Sequence, residues 1–329
     1  MPIPDHHVSR VLGPIETVAA LPYPALLREI SQLLQDDSVR VPARLVQPLQ
    51  GGGSLFVMPA NDARVAITKL ITFTPANAGN GAPAIQGDVV VFDVATGERT
   101  LLLDGPTVTA RRTAAVSALA ARRLAPRPEG PLLIVGAGVQ GRSHLEAFAE
   151  CLGVTEVVIA SRSQASAEGL AAYARSLGLV ARVTHDPDAV LADCPLVVTC
   201  TPASGVVLRA LPGPDHFVAA VGAFTPQMVE LGPDLCRHIA ALGRVVVDTA
   251  DATHEAGDLL QAGLDVAAFE TLADVERAIW SGNEAPPRAG GHENRPAMVK
   301  PGPVLFKSCG WAGWDLAAAR TALQSSPGS

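Results

Sequence analysis

The chain has 329 residues, a length that admits two domains of ordinary size. A hydrophobic fraction of 48% against 17% charged residues excludes a disordered chain, and a formal net charge of -7 without any Lys/Arg cluster excludes a nucleic-acid partner. The five cysteines, Cys151, Cys194, Cys200, Cys236 and Cys309, are widely spaced without a C-x-x-C pair and read as reduced core residues. With no basic-then-apolar leader and no apolar run long enough to span a bilayer, a soluble cytoplasmic protein without membrane contact is expected.

From Ala43 to Leu103 the stretches RLVQPL, GSLFVMPA, VAITKLITF and DVVVFDV predict strands, with Asp93-Val94-Ala95-Thr96-Gly97 as a hairpin turn into TLLLDG. Residues 107–124 predict a helix that Thr107 or Thr109 can cap. Short Gly/Pro stretches at 50–53, 76–83 and 282–291 read as loops. At Pro126-Arg127-Pro128-Glu129-Gly130 the composition shifts, which marks a domain boundary. Beyond it the strand PLLIVGAG, a helix over 141–151, EVVIASR, a helix over 164–177, ARVTH, a short helix, LVVTCTP, FVAAVGA and RVVVDT alternate as a parallel, doubly wound sheet does. Because the strand order reads as complete there, the last segment, FKSCGWAGWDLAAARTAL, is assigned back to the first domain. The expected fold class is α/β, with a Rossmann domain over 126–303 and a strand-rich α+β dimerisation and substrate domain made of 1–125 and 304–329.

In PLLIVGAGVQGRSHLEAF a G-x-G-x-x-G turn follows a buried-strand run and opens a helix. Gly136 permits the tight turn, Gly138 lets backbone approach a pyrophosphate, and Gly141 allows close packing of helix on strand. The helix start then offers N–H groups and a positive dipole end to phosphates. After the second strand the chain reads Ala160-Ser161-Arg162-Ser163, without the carboxylate that would bond a ribose 2′-hydroxyl. Arg162 and Ser161 suit a 2′-phosphate instead, so NADPH is the expected cofactor, with NADH as the alternative.

Three cations stand out in the first domain, Arg44 in VPARLVQPL, Lys69 in VAITKLITF and Arg112 in TVTARRTAAV. A cation inside an apolar strand or at a helix start is costly unless it meets an anion, so together they suggest an anionic small-molecule substrate. With the Rossmann turn and the late FKSCGWAGWDLAAA, these stretches resemble the ornithine cyclodeaminase/mu-crystallin family over nearly the whole chain. The resemblance implies a homodimer, a central Rossmann domain and a substrate pocket in the cleft between the domains. It places Arg44, Lys69 and Arg112 around the substrate carboxylate, and Arg112, Thr113, Val139, Gln140, Thr201, Val221 and Ser308 along the dinucleotide.

One departure bears on the reaction. In ornithine cyclodeaminases and the related alanine dehydrogenase an Asp stands two residues before the place of Pro226, and here that place is Phe224. The pattern is similar to the bacterial ketimine reductases of the family, which implies NADPH-dependent reduction of Δ1-pyrroline-2-carboxylate to L-proline and of Δ1-piperideine-2-carboxylate to L-pipecolate. Lys69 is the expected catalytic residue, orienting the imine and relaying a proton. An ornithine cyclodeaminase, an alanine dehydrogenase and a non-catalytic NADPH-binding protein like mu-crystallin remain the alternatives.

Overall fold

The computed structural model describes residues 10–79, 82–202, 205–282 and 302–325; beyond Gly282 the expected loop at 282–291 lies outside them. The chain divides into two units, Met1–Arg112 with Trp311–Ser329, and Thr113–Gly310.

The first unit holds the strands expected between Ala43 and Leu103, together with one more at the start. β1 (Arg10–Leu12), β2 (Leu45–Pro48), β3 (Ser54–Asn61), β4 (Val65–Phe73), β5 (Ile85–Asp93) and β6 (Arg99–Asp104) form one sheet in the order β1-β6-β5-β4-β3-β2. β2 to β6 run as an antiparallel meander, and β1 joins β6 in parallel. β4 shows the period of two that a half-covered sheet imposes: Val65, Ile67, Lys69 and Ile71 are buried and their neighbours less so. Helices Tyr23–Leu33 and Ala312–Gln324 pack on one another, and the second also lies on β3, β4 and β5.

A buried arginine ties this layer together. Arg320, on the last helix, donates from Nε to Asp62 Oδ2 at 2.5 Å, from Nη2 to Asp36 Oδ2 at 2.5 Å, and from Nη1 to Glu29 Oε1 at 3.3 Å. Its planar fork serves the three carboxylates from three separate nitrogens.

In the second unit β7 (Leu132–Val135), β8 (Glu156–Ala160), β9 (Val180–Thr184), β10 (Leu196–Thr199), β11 (Phe217–Ala220), β12 (Arg244–Val247), β13 (Glu270–Thr271) and β14 (Val304–Lys307) make a wholly parallel sheet, ordered β13-β12-β14-β11-β10-β7-β8-β9. Leu133, Val135, Val197, Val218, Val247 and Leu305 join Leu235 and Ile239 of the helix Pro233–Leu242 in its core.

Several expectations are corrected. The strand order is not complete at RVVVDT, because β14 inserts between β11 and β12 and pairs with both. Its apolar residues Val304, Leu305 and Phe306 are buried there, so the unit ends at Gly310 and not before 304. The other boundary falls at Arg112/Thr113, inside the continuous helix Gly105–Leu124, and not at 125. That helix starts at Gly105, and its first turn is satisfied by Asp104, whose Oδ1 accepts from Thr107 N at 2.9 Å and from Thr107 Oγ1 at 2.5 Å; neither threonine is the cap. The helix after Gly138 likewise starts at Val139 and not at 141. All five cysteines are free, and among the described residues no helix is long and apolar enough to cross a membrane.

Arg320→Met keeps the bulk but leaves Asp62 and Glu29 as buried, uncompensated carboxylates. A loss of about 3–5 kcal/mol is expected from urea unfolding, the usual cost of breaking a buried ion network. A loss below about 1 kcal/mol, the range of exposed pairs, would show that water reaches the cluster.

Candidate functional site

Lys69 occupies a position in β4 where the alternation calls for an apolar side chain, between Met58 of β3 and Val89 of β5 in the ladder. It is 1% exposed. Its Nζ lies 2.7 Å from Asp315 Oδ2, and Arg112 Nε donates to Asp315 Oδ1 at 3.3 Å. Asp315 sits in the first turn of the helix Ala312–Gln324, where the dipole already favours a carboxylate. Burial pushes Lys69 down to about 8; Asp315 opposes this, while Arg112 and Arg44 add repulsion. Arg44, directly before β2, is partly exposed. Around Lys69, therefore, Asp315 supplies the opposing negative charge while Arg112 and Arg44 add positive charge, a setting to which a substrate anion can be drawn.

The structure thus brings the three sequence-predicted cations of the first unit together. Asp315 was missed. It is 203 residues from Arg112, and the sequence signal available was an acid in the otherwise apolar helix WDLAAA. The neighbouring Arg111 faces elsewhere: its Nε donates to Leu21 O at 2.7 Å and its guanidinium lies over the Tyr23 ring.

In the second unit the Gly136–Gly141 turn follows β7 and opens the helix Val139–Leu152. Gly136 has φ of 121°, a left-handed conformation that side chains resist. A Cβ on Gly141 would fall 2.0 Å from Gly136 O, so only glycine lets the turn close. Gly138 and Val139 are exposed, and no side chain caps this helix start. This cradle fits a diphosphate. Behind it Gln140 O accepts from His144 Nδ1 at 2.8 Å, and His144 Nε2 lies 3.0 Å from Ser117 Oγ. Burial pushes His144 down to about 4, so the ring is neutral and fixes the turn without adding charge.

Ser161, Arg162 and Ser163 follow β8, with Arg162 and Ser163 exposed; Ser163 caps the next helix by accepting from Ser166 N. Thr113 is buried in the helix Gly105–Leu124. Thr201 and Val221 follow β10 and β11, and Ser308 follows β14, so these three share the carboxyl end of the sheet with the glycine turn. Two buried carboxylates not anticipated from sequence hold these ends. Glu230 accepts from Thr201, and Asp248 Oδ2 accepts from Ser308 Oγ, Cys309 N and Gly310 N at 2.8–2.9 Å. Phe224 is half-buried and packs on the core of this unit.

Comparison with known proteins identifies the family. The family model for the ornithine cyclodeaminase/mu-crystallin family matches residues 25–325. The chain is 38% identical over 314 residues to the Delta(1)-pyrroline-2-carboxylate reductase 2 of Burkholderia ambifaria, covering 93% of each. It is 38% identical over 315 residues to the Delta(1)-pyrroline-2-carboxylate/Delta(1)-piperideine-2-carboxylate reductase of Azospirillum brasilense, covering 95% of this chain and 94% of that one. Among solved structures it resembles the Thermococcus litoralis Delta(1)-pyrroline-2-carboxylate reductase in complex with NADH and L-proline, with a TM-score of 0.83, 20% identity and 96% of each chain covered. At that identity the likeness speaks to the fold.

Proposed function

The chain belongs to the ornithine cyclodeaminase/mu-crystallin family, and on that premise we propose that it reduces cyclic ketimine carboxylates with a nicotinamide dinucleotide. The expected substrates are Δ1-pyrroline-2-carboxylate and Δ1-piperideine-2-carboxylate, giving L-proline and L-pipecolate. The observation that carries this reading is the buried Lys69–Asp315–Arg112 cluster with Arg44 beside it, which suits a small carboxylate next to a group that can give a proton. The names of the relatives at 38% identity support it.

Arg44 offers a planar fork for two parallel hydrogen bonds to the substrate carboxylate, and Arg112, anchored on Asp315, supplies the second cation. Bound reduced nicotinamide supplies the hydride. As the C=N π bond breaks toward nitrogen, Lys69 Nζ gives that nitrogen a proton, and a Lys lowered to about 8 does so readily near neutral pH. Asp315 holds the ammonium in place and keeps burial from lowering it further. At Phe224 the ring offers no acceptor for an amine proton, so ornithine is not a substrate.

Arg162, exposed after β8 with Ser161 and Ser163 beside it, favours NADPH over NADH through the 2′-phosphate. The assembly is a homodimer through the first unit. On its sheet Leu45, Val57 and Leu70 stand opposite one another across β2, β3 and β4, with Leu45 at 54% and Leu70 at 44% exposure. Five free thiols suit a reducing compartment and support a cytoplasmic activity.

NADPH oxidation is expected with both imines, and no ammonia with ornithine; ammonia and proline from ornithine with inert imines would return the chain to cyclodeamination. Because Lys69 must be protonated to act, kcat/KM should be level below about pH 8 and fall above it. Asp315→Asn removes the group that raises Lys69, so the falling limb should move to lower pH, and an unmoved limb would assign it to another group. Arg162→Ala should weaken NADPH by about 1–3 kcal/mol, the size of a charge-assisted bond, and leave NADH nearly unchanged; equal losses would remove Arg162 from the phosphate. Light scattering at micromolar concentration should give the mass of a dimer, and a monomer mass would count against the sheet-face assembly.

A further inference from the structure

Glu230 is fully buried, and its carboxylate collects four hydrogen bonds, as many as its lone pairs can accept. Oε1 accepts from Thr201 N at 2.6 Å and Thr201 Oγ1 at 2.9 Å; Oε2 accepts from Gly222 N at 2.7 Å and Thr199 Oγ1 at 3.0 Å. One side chain therefore joins the ends of β10 and β11. The approach is so close that a Cβ on Gly222 would meet Glu230 Oε1 at 2.5 Å.

The segment after β11 is also held from its other side. Lys307, at the end of β14 and fully buried, donates from Nζ to Ala223 O at 2.5 Å and lies 2.9 Å from Asp258 Oδ2. Asp258 Oδ1 in turn accepts from the backbone N–H groups of Glu230 and Leu231 at 2.6 and 2.9 Å. The bonds close a ring: Glu230 carboxylate to Gly222, Ala223 to Lys307, Lys307 to Asp258, and Asp258 back to Glu230. Residues 221–224 are thus clamped by a carboxylate on an amide and an ammonium on a carbonyl.

In a doubly wound sheet the dinucleotide straddles the point where strand order reverses, here between β7 and β10. The adenosine half goes to the β7 and β8 ends, carrying Gly136–Gly141 and Arg162, which leaves the nicotinamide half to the β10 and β11 ends. We propose that Glu230, closed into a ring with Lys307 and Asp258, is a positioning residue that presets the turns after β10 and β11 for the nicotinamide half of the cofactor. This rests on the dinucleotide reading above, but not on the identity of the reduced substrate.

The test compares two ligands on the intact protein, NADPH and adenosine 2′,5′-bisphosphate, which carries the adenine half alone. Glu230→Gln turns one acceptor into a donor that faces either Thr201 or Gly222 amide hydrogens. It should weaken NADPH about tenfold, as losing a bond to a charged group does, and leave the bisphosphate unchanged. Thr199→Val, nearly isosteric, removes one of the four bonds and should weaken NADPH roughly threefold with the same selectivity. Unchanged NADPH affinity in both variants would overturn the proposal, as would equal losses for the two ligands in Thr199→Val. Wild-type protein that binds NADPH but reduces no imine would refute the ketimine assignment and leave this comparison standing.

Discussion

The contact between Lys69 and Asp315 is the constraint from which the first unit takes its character. An ammonium in the inward row of a strand and a carboxylate in the first turn of a helix meet at 2.7 Å, both sealed from water. Either alone would be a large penalty in a layer made of Met58, Ile67, Val89 and Leu316. Paired, they fix where the helix Ala312–Gln324 sits along β4. The pair does not neutralise its surroundings, since Arg112 shares the same carboxylate and Arg44 acts on the same ammonium. Stability and function draw on the same atoms: the carboxylate that makes the ammonium tolerable also anchors Arg112.

The second unit solves a related problem with the opposite charge. The strand ends of a parallel sheet present backbone N–H groups that lack ladder partners, and a site built there needs them held still. Glu230 and Asp248 do this as buried acceptors, taking amides from Thr201, Gly222, Cys309 and Gly310. The glycine turn after β7 differs. Its helix start has no side-chain cap, and its positive dipole end suits a phosphate.

How much of this was legible follows from how local each feature is. The G-x-G-x-x-G turn, the meander strands and the alternation around Lys69 are written within a few residues and could be read directly. So could the cost of Arg44, Lys69 and Arg112, which marked them as members of a site. Asp315 could not be paired with them, because the helix pattern that carries it says nothing of a strand more than two hundred residues away. The same holds for β14: parallel pairing is non-local, and a four-residue apolar run does not announce the two strands between which it inserts. The helix cap was a different kind of miss. Asp104 stands three residues before Thr107, so the signal was present but was assigned to the hydroxyl that donates and not to the carboxylate that accepts.

The assignment depends most on a hydride passing from the dinucleotide to the imine carbon. NADPH deuterated at the transferable position of the nicotinamide, incubated with Δ1-pyrroline-2-carboxylate, tests this directly by mass spectrometry and NMR of the amino acid formed. One deuterium at C2 of L-proline for each NADPH oxidised is the result expected. Proline without deuterium at C2, or NADPH oxidation without proline, would contradict it.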